Sequence, residues 1–401
     1  MRRSVIVVSV LVALALGWLA CGESSSGPGQ DVPVDAGLPQ DASALDAADP
    51  DAALDAAPET DAGSDAAPDA APDAGPLCPA IYYLDSAGDD AFDGSTPALA
   101  VATVDRVHAL VTQDDPTCDV EIRINQGTYL GQTVIWSWYR PGVSVKLMPI
   151  DYQGGGIDSI AGRPVFDGQG ASYFFRLAVS DGTYTNLELL YLQVEHYVAY
   201  AVHFAGNRND FANGWNGGNR VFGCLFQDLG NLVNGGGIGY AGIDLVNSRE
   251  NVIRNNHFLR LENGTSAALI HGIYLAHGSS SNTIESNRFD TCSGDPIRAR
   301  DDSSHNLIRS NRFYDTGVVA YYSDWWCDMS SNPACTKAGG ECPSWENEFR
   351  NNELYCGYDG GPISTFAYLQ GGETNIPAWC TDHFPQGWAR LYTSGNVASC
   401  P

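Results

Sequence analysis

The 401-residue chain carries 48 Asp and Glu against 21 Lys and Arg, a formal charge of −27. Residues 22–77 hold 13 of those acids and no Lys or Arg, yet residues 78–401 are still acidic, with 35 acidic against 19 basic side chains. Such a balance lacks the basic footprint that nucleic-acid binding needs and disfavours capture of polyanions by bulk charge, although a local Arg cluster could still hold one.

The chain begins with Arg2 and Arg3, an apolar run from Val5 to Leu16, and Gly17-Trp18-Leu19-Ala20-Cys21. A charged start, a short apolar stretch and a small residue before a cleavage point describe an export signal over 1–21. Its end resembles a bacterial lipobox, with Trp18 where Leu is usual, which implies lipidation of Cys21 and membrane attachment through that lipid alone. An outer-membrane lipoprotein at the cell surface or in the periplasm is the expected location. Residues 22–77, as in DAGSDAAPDAAPDAG at 61–75, lack the large apolar side chains that offset ordering entropy, and predict a disordered, extended stalk.

Composition changes at Leu77-Cys78, and 78–401 is read as one domain. VATVDRVHALV at 101–111 places Val104, Val107, His108 and Val111 at helical spacing, whereas EIRINQGTYLG at 121–131 alternates like a strand. Trp136, Trp138 and Tyr139 are expected as buried cap residues rather than sugar platforms, and Trp325 and Trp326 follow the repeats. Five segments align without gaps: NRVFGCLF at 219–226, NVIRNNHF at 251–258, NTIESNRF at 282–289, NLIRSNRF at 306–313 and NEFRNNEL at 347–354. Such repeats are too short to bury a face alone, so neighbours must stack and share a core. Read as strands, their sixth and eighth places point inward. That predicts one column of Phe226, Phe258, Phe289, Phe313 and Leu354, and a ladder of Asn256, Asn287, Asn311 and Asn352 whose amides satisfy one another. Second short strands lie at GIDLVNS 242–248, GIYLAHG 272–278 and PIRARDD 296–302.

These repeats resemble right-handed parallel β-helix proteins, the pectin-lyase-like superfamily. The opening YYLDSAGDDAFDG, its helix and the RINQGTY strand are similar to the cap and first coil of chondroitinase B and related alginate lyases. The resemblance covers about 81–370 and implies an all-β solenoid with a short N-terminal capping helix, to which the cysteine positions add a disulfide-rich C-terminal end. It implies a glycan partner but not an activity, since one scaffold hosts many.

In-register stacking of the second strands exposes Asp244, Tyr274 and Arg298 as one outward column with Arg300 beside it, and sets His271 and Asp295 just ahead. Two guanidinium groups side by side suit a carboxylate or sulfate. The functional reading is β-elimination on a uronic-acid polysaccharide: Arg298 or Arg300 neutralises the sugar carboxylate, and Tyr274 or His271 takes and returns the proton, with Asp244, Asp295, Asp301 and Asp302 contacting substrate. Its competitor is a solvated charge ladder of those Arg and Asp side chains. The lyases named above use a Lys base, and neither Lys146 nor Lys337 falls on this face. A glycoside hydrolase built on Asp244 with Asp295 or Asp301, and a non-catalytic glycan-binding or adhesion protein, are the alternatives. No metal or cofactor is predicted; calcium could meet these carboxylates, but no calcium-loop motif is present.

Eleven cysteines, ten once Cys21 is set aside, fit an oxidising compartment. Cys78 and Cys118 bracket the cap and are expected to pair. Cys327, Cys335, Cys342, Cys356, Cys380 and Cys400 are expected to form three bridges of unspecified connectivity. Cys224 and Cys292 fall about two coils apart and are expected as separate buried thiols. The domain is expected to be a monomer.

Overall fold

A computed structural model describes residues 78–154, 160–327, 340–382, 384 and 387–400. The export signal, Cys21 and the stalk at 22–77, together with Lys337 and Cys335, lie outside the described residues.

The Thr103 side chain accepts from the Arg106 N–H at 3.1 Å and so caps the predicted helix, Val104–Asp114, which buries Val104, Val107, Leu110 and Val111. Strand Ala80–Leu84 follows Cys78, which is disulfide-bonded to Cys118. This strand begins the first of four parallel sheets among the described residues, of ten, nine, eight and three strands. Successive strands of each sheet come from successive coils. In the first sheet Val221, Ile253, Ile284, Ile308 and Phe349 pair in turn, and in the second Phe226, Phe258, Phe289, Phe313 and Leu354 do the same.

The eight-residue repeat proves to be two strands rather than one. Its fifth residue (Asn255, Ser286, Ser310, Asn351) has φ between 54° and 57°, a left-handed corner that short polar side chains tolerate. The sixth-place Asn therefore follows a corner, and points inward because of it. Asn256, Asn287, Asn311 and Asn352 are buried, and each Nδ2 donates to the next Oδ1 at 3.0–3.2 Å, ending on Asn396. The first repeat place builds a second ladder: Asn251, Asn282 and Asn306 donate at 2.8–3.1 Å, the last to Asn347. Two residues beyond the sixth-place ladder runs the Phe column, with centroids 4.8–5.2 Å apart and planes within 20°. Gly242 and Gly272 open the next strands because a Cβ there would strike Phe258 or Phe289.

Trp136 and Trp138 are buried under the cap, where the Trp138 Nε1–H donates to Asp115 at 3.1 Å. At the C-terminal end Cys342 is bonded to Cys380 and Cys356 to Cys400, and Cys327 is also disulfide-bonded. Cys224 and Cys292 are free and buried.

Candidate functional site

The third sheet supplies the candidate site. Its strands alternate apolar side chains into the core (Val202 and Phe204, Ile243 and Leu245, Ile273 and Leu275) with polar ones between them. The intervening residues stack in one outward column: Arg176, His203, Asp244, Tyr274, Arg298, Ser323. The neighbouring column is Ala205, Val246, Ala276, Arg300 and Trp325. Three short side chains at its start leave a hollow in front of His203, Asp244 and Tyr274. The result is a cavity of about 220 Å³, walled by Tyr200 and Tyr240 and reached by Arg176, Arg208, His277 and Arg300.

The polar groups facing this space are short of partners. His203 Nδ1 lies 3.6 Å from Asp244 Oδ2, yet neither His203 ring nitrogen and not Asp244 Oδ1 makes a hydrogen bond. Burial pushes the Asp244 carboxyl up to about 7, against the pull of Arg208. The same burial, helped by Arg176, takes His203 down to about 3. His277 is arranged differently: its Nδ1 meets the buried Asp301 Oδ2 at 2.8 Å, which fixes the ring and turns Nε2 away from Asp301. Desolvation lowers the His277 pKa and Asp301 works against that. Tyr274 is raised by burial, with Arg300 opposing. Arg300 donates to Tyr274 Oη at 3.3 Å and, bidentately, to Glu341 at 2.7 and 2.9 Å. Burial opposes its charge, but Tyr274 and Glu341 prevail and hold it well above its usual value.

The sequence-predicted face is thus divided. Tyr274, Asp244 and Arg300 line the cavity. His271, Asp295 and Arg298 form a separate, buried set: His271 Nδ1 sits 2.7 Å from the Asp295 carbonyl, and Asp295 Oδ1 accepts the Val319 and Ala320 N–H groups. Arg298 reaches Asp295 at 3.4 Å and lies 5.0 Å from the Trp325 ring centre. Desolvation, with Arg298 adding to it, drives the His271 pKa well down. Asp301 is behind His277, and Asp302 Oδ1 accepts from Ser304 at 3.1 Å. Neither a solvated ladder nor an exposed Arg pair is present here: Arg298 and Arg300 are less than a tenth exposed, and the partner of Arg300 is Glu341, 41 residues away in sequence.

Sequence reasoning missed Arg176, His203, Arg208, His277 and Glu341. For Arg176 and His203 a signal existed, because YFFRL at 173–177 and YAVHF at 200–204 carry the same in-out alternation as GIDLV and GIYLA. Alternation along GIYLAHG set His277 on the inward side with Ile273 and Leu275, but the strand ends at Ala276 and His277, at φ 53°, turns out of that alternation.

His277, Asp301 and Glu341 bring ligand-type atoms within 4.8 Å of one another. Both Glu341 oxygens are taken by the Arg300 guanidinium, whose charge would repel a cation there. Asp167, Glu195 and His196 form a similar group on the second sheet, closed by a 3.0 Å contact between His196 and Asp167.

Residues 182–354 match the family described as "Right handed beta helix region". No curated protein shows significant sequence similarity to the chain. Among solved structures, a rhamnogalacturonan lyase aligns at 16% identity over 69% of this chain and 68% of its own, TM-score 0.41. A pectate lyase aligns at 13% over 80% and 76%, TM-score 0.44. A lacto-N-biosidase from Eubacterium ramulus aligns at 11% over 80% and 68%, TM-score 0.39. Alignments this loose carry no inference about chemistry. The stacked parallel sheets, with the family match over 182–354, give the described domain a right-handed parallel β-helix fold.

Proposed function

We propose that the chain is a carbohydrate-active protein whose third-sheet cavity takes one acidic sugar unit and cleaves the glycan by acid–base β-elimination. The observation that carries this reading is a buried, under-partnered acid–base set surrounded by guanidinium groups. Arg176, Arg208 and Arg300 reach a cavity whose lining contains a single carboxyl, Asp244, in a protein that is otherwise acidic. About 220 Å³ is below the roughly 300–1,000 Å³ of pockets that enclose drug-sized ligands, so a single ring-sized group suits it.

In this reading a guanidinium neutralises the sugar carboxylate and acidifies the adjacent C–H. His277, neutral and held by Asp301, accepts that proton at Nε2. The electron pair becomes the new C=C bond as the glycosidic C–O bond breaks. The departing oxygen takes a proton from Asp244, whose raised pKa keeps it substantially protonated near neutrality, or from Tyr274. A hydrolase pairing Asp244 with Asp295 or Asp301 fits less well, because the latter two hold backbone N–H groups and His277.

A panel of uronic-acid polysaccharides tests the reading. Release of unsaturated, ultraviolet-absorbing ends from one member, lost in His277→Ala, is the expected result. Retained glycan binding with no new absorbance and no new reducing ends would instead make this a binding or adhesion module.

The same proposal places the protein outside the cytoplasm, attached by a lipid at Cys21; the charged and apolar run before Cys21 supports it. Metabolic labelling with a fatty-acid analogue should mark the full-length protein and not Cys21→Ser.

A further inference from the structure

We infer that Glu341 and Cys342 form a covalently held clasp, and that the Cys342–Cys380 bridge positions both Arg300 and the His277–Asp301 pair. This rests on the cavity being the functional site.

The clasp reaches the cavity from outside the repeat. Glu341 is buried, and its carboxylate takes two Arg300 N–H donors together with the Cys327 backbone N–H at 2.8 Å. The next residue serves the other partner: the Cys342 N–H donates to Asp301 Oδ1 at 3.2 Å, and the Cys342 carbonyl accepts from the Asp302 N–H at 2.8 Å. Asp301 is therefore held from one side by Cys342 and holds His277 on the other. Two adjacent residues thus fix the two groups on which charge neutralisation and proton transfer depend.

Glu341 and Cys342 lie outside the repeated strands. Besides their hydrogen bonds to the coil at Arg300, Asp301 and Asp302, their attachments are covalent and aromatic. Cys342 is bonded to Cys380, itself buried, and the Trp379 indole N–H donates to the Glu341 carbonyl at 3.1 Å. Gly340 lets the backbone pass beneath Trp379, since a Cβ there would lie 2.5 Å from the indole. On the other side Cys327, also disulfide-bonded, accepts from the Glu341 backbone N–H at 3.3 Å and donates its own N–H to the Glu341 carboxylate. A buried Arg–carboxylate pair keeps its geometry only where its partners cannot retreat to water, and the bridge is what prevents Glu341 from retreating.

The test uses the full chain and needs no known substrate. Ring-nitrogen NMR of wild type should show His277 in the tautomer with the proton on Nδ1, and a slowly exchanging Arg300 Nε–H. In Cys342→Ser/Cys380→Ser, His277 should relax to a mixture of tautomers, and affinity for galacturonate or glucuronate should fall at least ~10-fold. In Glu341→Gln, the protected Arg300 Nε–H signal should be lost, and this variant decides if the double variant fails to fold. Unchanged His277 and Arg300 signals in folded variants would overturn the clasp. A wild type that binds neither uronate would overturn the acidic-sugar reading and leave the ring signals to decide the clasp.

Discussion

His203 and Asp244, paired in register on adjacent strands with Nδ1 3.6 Å from Oδ2, have pKa values moved in opposite directions by the same burial. Their effects on stability must therefore oppose one another. Asp244 is raised from 3.8 to about 7, so folding favours its protonated form, and its contribution is full below pH 3.8 and lost as pH rises through 7. His203 is lowered from 6.5 to about 3, so folding favours its neutral form, and its contribution is full above pH 6.5 and lost as pH falls through 3. Between about pH 4 and 6.5 the two slopes, each up to roughly 1.4 kcal/mol per pH unit, cancel. Relative to wild type, Asp244→Asn should therefore gain stability with rising pH in that window and His203→Gln should lose it. Thermal melts across pH 4–7 check this; parallel curves for all three proteins would contradict it.

The Asn ladder predicts a dependence on position. Asn287 accepts from both the backbone and the side chain of Asn256 and donates to Asn311 and the Ile253 carbonyl. Asn287→Ala strands several buried groups, each costing about 1–3 kcal/mol when left unmade. Asn396, at the ladder's part-buried end, accepts the same two bonds from Asn352 and donates to the Phe349 carbonyl, but has no next rung and stands where water can replace these partners. Asn287→Ala should lower stability by roughly 3 kcal/mol or more in denaturant titrations, and Asn396→Ala by less than half of that.

The stacked core was legible from sequence because repetition reports it directly: five aligned segments name the same inward places five times. The corner inside each repeat was not, since Asn255 or Ser286 in a left-handed conformation looks like any polar strand residue. The site was only half legible. Tyr274 and Arg300 follow from alternation, but their height relative to solvent does not, because what covers them is Glu341 in a loop outside the repeat. Glu341 makes Arg300 a buried cavity residue, while Asp295 and Trp325 make Arg298 a structural one.

That division is itself testable. Arg298 holds Asp295 and packs on Trp325 outside the cavity, whereas Arg176 lines it. Breaking a buried ion pair typically costs about 3–5 kcal/mol. Arg298→Gln should thus lower the melting temperature clearly while uronate affinity of the folded fraction stays within about twofold. Arg176→Gln should show the reverse, with affinity down roughly tenfold and little change in melting. Calorimetric binding beside thermal melts separates the two, and loss of affinity in Arg298→Gln alone would return that residue to the binding surface.

Gly272 provides the last prediction, which concerns how closely strand and core are matched. A Cβ at this position would lie 2.5 Å from Phe289 Cδ1 and 2.9 Å from the Pro296 carbonyl oxygen, one of them a ring fixed between two others. Neither obstacle is the end of a flexible chain. Phe289 is stacked within 6° of Phe258 and Phe313, so a shift at Gly272 must propagate along the column. Overpacking of this kind costs typically 1–3 kcal/mol. Gly272→Ala should therefore destabilise by about 2 kcal/mol and disturb the near-ultraviolet aromatic signal. Gly237, where an added Cβ meets nothing within 4 Å, is the matched control and should leave both unchanged as Gly237→Ala. Equal melts for the two variants would mean that the Phe column yields to a methyl group, and that its ring-on-ring stacking is looser than the distances imply.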